Sequence, residues 1–240
     1  MRSPKSVGRV TGVLLLAHLL VALTVPFVLL DRLRQPPGLL VNAAGSPGQV
    51  RAAVLLLFVG SAIAIGIAIK ALPVFSQYSS AMALWLVALA VAGFSLQAVD
   101  NSAILSMLSL SQEYAGTANT ELFQALGVVV SLSRKWAHYS YLLVVGSWIF
   151  LLYCLLFRFR LVPRALAAFG ILGSVLQITG VTLRGLFGYP PETRLAMPLA
   201  PAYVALAVWL MVKGFDERHR PICAEEDGQE LASAIARTPS

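Results

Sequence analysis

"VTGVLLLAHLLVALTVPFVLL", residues 10–30, passes 21 positions without a charge. Coiled as a helix at about 1.5 Å per residue, such a stretch is about 30 Å long, the thickness of a bilayer's hydrocarbon core. The basic stretch before it, "MRSPKSVGRV", has the charge of a secretory leader. A cleavable leader, however, has an apolar region of about 7–15 residues and a small-residue cleavage site. Neither precedes Asp31, so an uncleaved first transmembrane helix is expected.

The rest of the chain repeats the pattern. Apolar residues make up 58% and charged residues 12%, half of the roughly 25% that covers a soluble domain. Backbone groups in hydrocarbon must bond within their own segment or a closed barrel. Continuous apolar runs, rather than ten-residue alternation, select helices. With ionisable residues and Pro/Gly clusters as boundaries, six spans are expected at about 10–30, 52–72, 82–108, 136–157, 164–184 and 195–212. Residues 31–50 read as a loop, and Pro73 closes the second span. "LFQALGVVVSLS", residues 122–133, is too short to cross and reads as an interfacial helix before the fourth span. The expected fold is an all-α, six-helix bundle formed by residues 1–215. A charged tail, 216–240, is expected to be disordered.

Cations orient such a bundle. With the N-terminus inside, eleven of the 18 Lys and Arg residues fall in inner segments and seven in outer ones. Both termini are therefore expected in the cytoplasm. The net charge of +7 follows from this topology and lipid headgroups, so no nucleic-acid partner is expected.

"FSLQAVDNSAIL", residues 94–105, places Asp100 and Asn101 inside an apolar run. A charge held in a span costs several kcal/mol unless it is paired or wet. Helix rise puts Asp100 about 27 Å from the inner boundary, level with His138 and Arg184 on two other helices and just below Arg134. These five residues form the candidate polar cluster. Each has a plain alternative: Asp100 and Arg184 as an ion pair or a hydrated interface, and His138 as one of an aromatic belt with Trp136, Tyr139 and Tyr141. His18 lies near mid-membrane, where a helix-to-helix hydrogen bond is the expected role. Gln97 and Gln177 read as interhelical bonds.

Several chemistries are set aside. His18 and His138 differ in depth by roughly 13 Å, too far to ligate one haem iron. "VGSAI" and "VGSWI" lack the second glycine of a rhomboid-type serine site. No zinc, phosphate-loop or dinucleotide motif occurs, and Cys154 and Cys223 fit neither a disulfide framework nor a metal spacing. No cofactor and no metal site is expected.

"WAHYSYLLVVGSW", "RFRLVPRALAAFGILGSVLQITG" (Arg158–Gly180) and "LAVWLMVKGF" (Leu206–Phe215) carry a resemblance. The turn at Val162, Pro163 and Arg164, the glycines Gly170 and Gly173, and the closing Trp209, Leu210 and Gly214 resemble the bacterial domain-of-unknown-function family 4386. That family often has an acid shortly before the tryptophan, where this chain has Tyr203. The resemblance implies a six-helix bundle in the bacterial cytoplasmic membrane and no established activity. Three functions stay open. One is a structural, accessory or sensory component, partnering through small-residue faces such as Gly60, Ala64 and Ala68. Another is binding or transport of a small molecule in an outward cavity at Asp100, His138 and Arg184. The third is an intramembrane enzyme, which lacks a recognisable nucleophile and base.

Overall fold

The computed structural model describes residues 3–116, 120–189 and 193–216, all helix, turn or loop with no strand among them. The first helix, α1 (Pro4–Thr24), opens with Pro4 in its first turn and the Ser3 hydroxyl accepting the Ser6 N–H at 3.3 Å. Both devices suit a helix start. It continues into a π-helical turn, Val25–Leu29, around Pro26, whose missing N–H breaks the regular ladder. Two single-turn helices follow, α2 (Asp31–Arg34) and α3 (Leu39–Asn42), then α4 (Pro47–Phe75), α5 (Ser80–Tyr114), α6 (Thr120–Arg158), α7 (Arg164–Phe187), the short α8 (Thr193–Ala196) and α9 (Leu199–Lys213).

The long helices close into a ring. From α4 to α7 each packs on the next, α7 meets α9, α9 meets α1, and α1 meets α4. Five helices, α1 with its π-turn and α4 to α7, are long and apolar enough to cross a membrane. Their outward faces carry exposed apolar side chains, among them Leu55, Leu84, Trp85 and Leu172, a surface suited to lipid. The molecule is a multi-pass membrane protein.

Four expectations change. No separate interfacial helix forms at 122–133: α6 is one rod of 39 residues. The join at Ser133–Trp136 holds neither Gly nor Pro, so nothing stops a helix from propagating through it. Residues 31–50 are not a plain loop but a folded cap. Gln49 Nε2 donates to Leu29 O at 2.6 Å, Asn42 Nδ2 to Gln35 O at 2.8 Å, and the Ala44 N–H to Ser111 Oγ at 2.8 Å. Beneath it lies a small core of Leu30, Leu33, Ala43, Val50, Ile104 and Leu108. Pro73 does not end α4, because its lost donor falls in the last turn, where the Ser76 N–H and hydroxyl both bond Leu72 O. The sixth span is broken at Met197 and Pro198, leaving α9 with 15 residues.

The small-residue stripe Gly60, Ala64 and Ala68 is buried inside the ring, with Val21 of α1 on Gly60. Covered in this way, it offers no face to another molecule.

One end of the ring is sealed. Gly8 of α1 lies against the backbone of Gly214 and Phe215, and Gly12 against Ala207 O and Met211 N. Gly214 itself has φ +73° over the Lys5 backbone, a conformation that favours glycine. Phe75 packs on Phe215 and Tyr78 stacks on Phe159, with ring centroids 5.6 and 5.0 Å apart. The Asp216 N–H donates to Leu161 O at 2.9 Å. Above this plug a core around Trp148, Tyr153, Leu155 and Leu206 fills the ring to mid-height. The tail beyond residue 216 lies outside the described residues.

Candidate functional site

The other half of the ring is hollow. A cavity of about 380 Å³ lies on its axis, bounded by all six long helices and the cap. Its walls are mostly apolar, including Leu57, Leu142, Val145 and Ile149, with polar groups at two levels.

The deeper level is built on α1 and α9. His18 Nδ1 lies 3.1 Å from the Tyr203 hydroxyl, with the His18 ring 6.1 Å from that of Trp148. Gln177 of α7 also lines the chamber, and its Oε1 has no hydrogen-bond partner among the described residues. His18 is 7% exposed. Losing a hydrogen bond there strands a buried polar group at about 1–3 kcal/mol. Tyr203→Phe is therefore expected to lower stability by about 1–2 kcal/mol, read as a lower Tm in detergent. An unchanged Tm would mean that His18 finds another partner, such as water in the chamber.

The outer level centres on Asp100. Gln97, Asp100 and Asn101 sit three and four residues apart on α5, hence on one face. Gln97 Nε2 donates to Asn101 Oδ1 at 2.9 Å and to Asp100 Oδ2 at 3.3 Å. Gln97 thus bonds along its own helix rather than between helices. Asn101 makes the interhelical bond instead, donating to Val54 O at 3.4 Å. Arg134 and His138 are four apart on α6 and reach across to the same carboxylate. Arg134 Nε lies 3.4 Å from Oδ1, and His138 Nδ1 lies 3.3 Å from Oδ2. The Asp100 side chain is 2% exposed, that of Arg134 17% and that of His138 42%. The carboxylate is therefore buried, while its partners reach the cavity.

Arg184, expected beside Asp100, is not there. It is exposed and lines a second cavity of about 350 Å³ with Arg34, Arg134, Lys135 and His138. It stands three residues before the end of α7, facing the second cavity rather than the carboxylate. Asp100 is matched instead by Arg134, which helix rise had placed above it.

Arg34 was not foreseen. It follows a span in a Pro-rich connector, and only the folded cap turns it back over the chamber. Burial pushes its guanidinium below the ordinary value and the nearby Arg134 adds to this, while Asp100 and Asp31 pull it up. An arginine keeps its charge throughout. The spacing of Arg134 and His138 was the available signal for the outer level, since residues four apart share a helix face.

As a metal site the cluster supplies one carboxylate and one imidazole. Among the described residues no three His, Cys, Asp or Glu side chains converge. What the arrangement can do is hold a molecule with an apolar body and a polar end, a common composition for ligand pockets.

No curated protein and no solved structure matches the chain. A family model described as "Domain of unknown function (DUF4386)" matches residues 10–214. The match covers nearly the whole ring, from the second turn of α1 to the glycine that closes α9, and the chain belongs to that family.

Proposed function

We propose that this is a membrane-embedded binding protein for a small amphipathic molecule, held in the chamber between the helices. The observation that carries the reading is the chamber itself. At about 380 Å³ it falls within the roughly 300–1,000 Å³ of small-molecule sites. A chain that needed only interhelical fasteners would fill that space with side chains, as the sealed half of the ring does. The component role loses ground because the stripe on which it relied is buried.

In the same reading α9 is a sixth, short crossing that returns the chain to the side of its N-terminus. The cation balance supports a cytoplasmic location for both termini and residence in the cytoplasmic membrane. The chamber then opens towards the outer face.

The test is native mass spectrometry in a non-ionic detergent with two single-chain amphiphiles, glyceryl monolaurate and dodecyl phosphate. One bound molecule is expected for at least one of them. Ala22 of α1 lines the chamber, so Ala22→Trp fills it and is expected to weaken binding at least ten-fold while leaving Tm unchanged or raised. Absence of binding by both amphiphiles would sink the reading.

A further inference from the structure

We infer that the ligand's polar end is an anion, a phosphate or carboxylate, held among Arg34, Arg134 and Arg184, and that its chain enters the chamber sideways from the bilayer. This deepens the binding reading and rests on it.

The charge argument comes from the second cavity. It adjoins the first, sharing Arg34, Arg134, His138 and Leu142 with it. Among the described residues four cations line it, Arg34, Arg134, Lys135 and Arg184, and no carboxylate does. Two described acids lie beside these cations. Asp100 is engaged by Arg134, His138 and Gln97, and Asp31 sits beside Arg34 on α2, where it acts on that guanidinium from one side. Three guanidiniums thus arrive from three elements, α2, α6 and α7, and Arg34 and Arg134 are close enough to oppose each other's charge. Like charges that outnumber the acids beside them are relieved by a bound anion, and guanidinium forks fit phosphate and carboxylate oxygens in pairs.

The tail argument comes from the wall. The two cavities divide into a largely apolar chamber and a polar vestibule, a division that matches a tail and a head. Between α1 and α7 the described wall of the ring is α9, which starts at Leu199, beside Gly173 near the middle of α7, together with the short α8, which also packs on α7. Above that level Leu23 and Phe27 of α1 border the chamber with Ala196 and Ala200. Phe27 is 68% exposed. This short, apolar stretch of wall is the side by which a chain would enter the chamber from hydrocarbon.

The test compares three probes on the intact protein in a non-ionic detergent: dodecyl phosphate, glyceryl monolaurate with the same chain, and inorganic phosphate. Dodecyl phosphate is expected to bind at least ten-fold more tightly than the monolaurate. Inorganic phosphate at equal concentration is expected not to displace it. Arg184→Gln, at an exposed position outside the core, is expected to weaken dodecyl phosphate by about ten-fold, the size of one charge-assisted hydrogen bond, and to leave the monolaurate unchanged. Arg34→Gln should repeat that pattern. Equal binding of the two amphiphiles, with no effect of either variant, would overturn the anion and leave the chamber intact as a site. Displacement by inorganic phosphate would overturn the tail, since a soluble anion would then be the occupant. Failure of both amphiphiles to bind would end this inference together with the reading beneath it.

Discussion

Arg134→Gln is expected to destabilise the protein by about 3 kcal/mol, and Arg184→Gln to shift stability by less than about 0.5 kcal/mol. Removing Arg134 leaves a carboxylate that is 2% exposed with only His138 and Gln97 against it. Breaking one side of a buried pair is strongly destabilising because the remaining charge stays buried. Asp100→Asn in the Arg134→Gln background removes that stranded charge and should restore much of the loss, an interaction energy that a double-mutant cycle reads directly. Thermal unfolding in detergent decides it. If Arg134→Gln melts with the parent, Asp100 is not held by this pair, and its partner must be sought in the chamber.

Gly8→Val is expected to leave little or no folded protein. A Cβ at Gly8 would lie 2.8 Å from Gly214 Cα and also against the backbone of Phe215. Overpacked cores usually relax by moving side chains, at about 1–3 kcal/mol. Here the obstacle is main chain, and its shift would pull Phe215 from Phe75 and the Asp216 N–H from Leu161 O. The loss should therefore lie at or above the upper end of that range. Size-exclusion of detergent extracts measures it. A monodisperse peak with the parent Tm would show that α1 and α9 do not meet as closely as described. As a control, Gly48→Ala meets open space and should behave as the parent.

Hydropathy made the helices legible because span length and apolar composition are local properties. The start of α7 at Arg164, just after Pro163, falls where it was expected, whereas α1 starts at Pro4, six residues before the expected first span. What hydropathy did not reveal depends on distant contacts. Residues 31–50 look like linker because Pro36, Pro37 and Gly38 break any regular pattern. The cap is folded by bonds to Leu29 O and Ser111 Oγ, contacts that no window of sequence contains. The same holds for the site. Asp100 stood out as a carboxylate in hydrocarbon, and helix rise put it at the correct level with His138. Rise carries no azimuth, however, so Arg184 and Arg134 could not be told apart as its partner. The i, i+4 spacing of Arg134 and His138 does carry azimuth, and it is the signal that rise alone leaves unused. Tyr203 was legible only as a departure from the family's usual acid, and its role with His18 emerges once α1 and α9 are seen side by side.

The brevity of α9 has a consequence beyond the route of entry. At about 1.5 Å per residue its 15 residues reach about 22 Å, well short of a bilayer's hydrocarbon core. If the thin wall of α8 and the start of α9 faces the membrane, acyl chains complete it. The host lipid is then a component of the receptor, and occupancy follows the mole fraction of amphiphile in the leaflet rather than its aqueous concentration. Thickness enters as well, since a bilayer that thins to meet α9 presses headgroups towards Phe27 and narrows the aperture. Membranes of different chain length would thus tune one unchanged protein to different affinities.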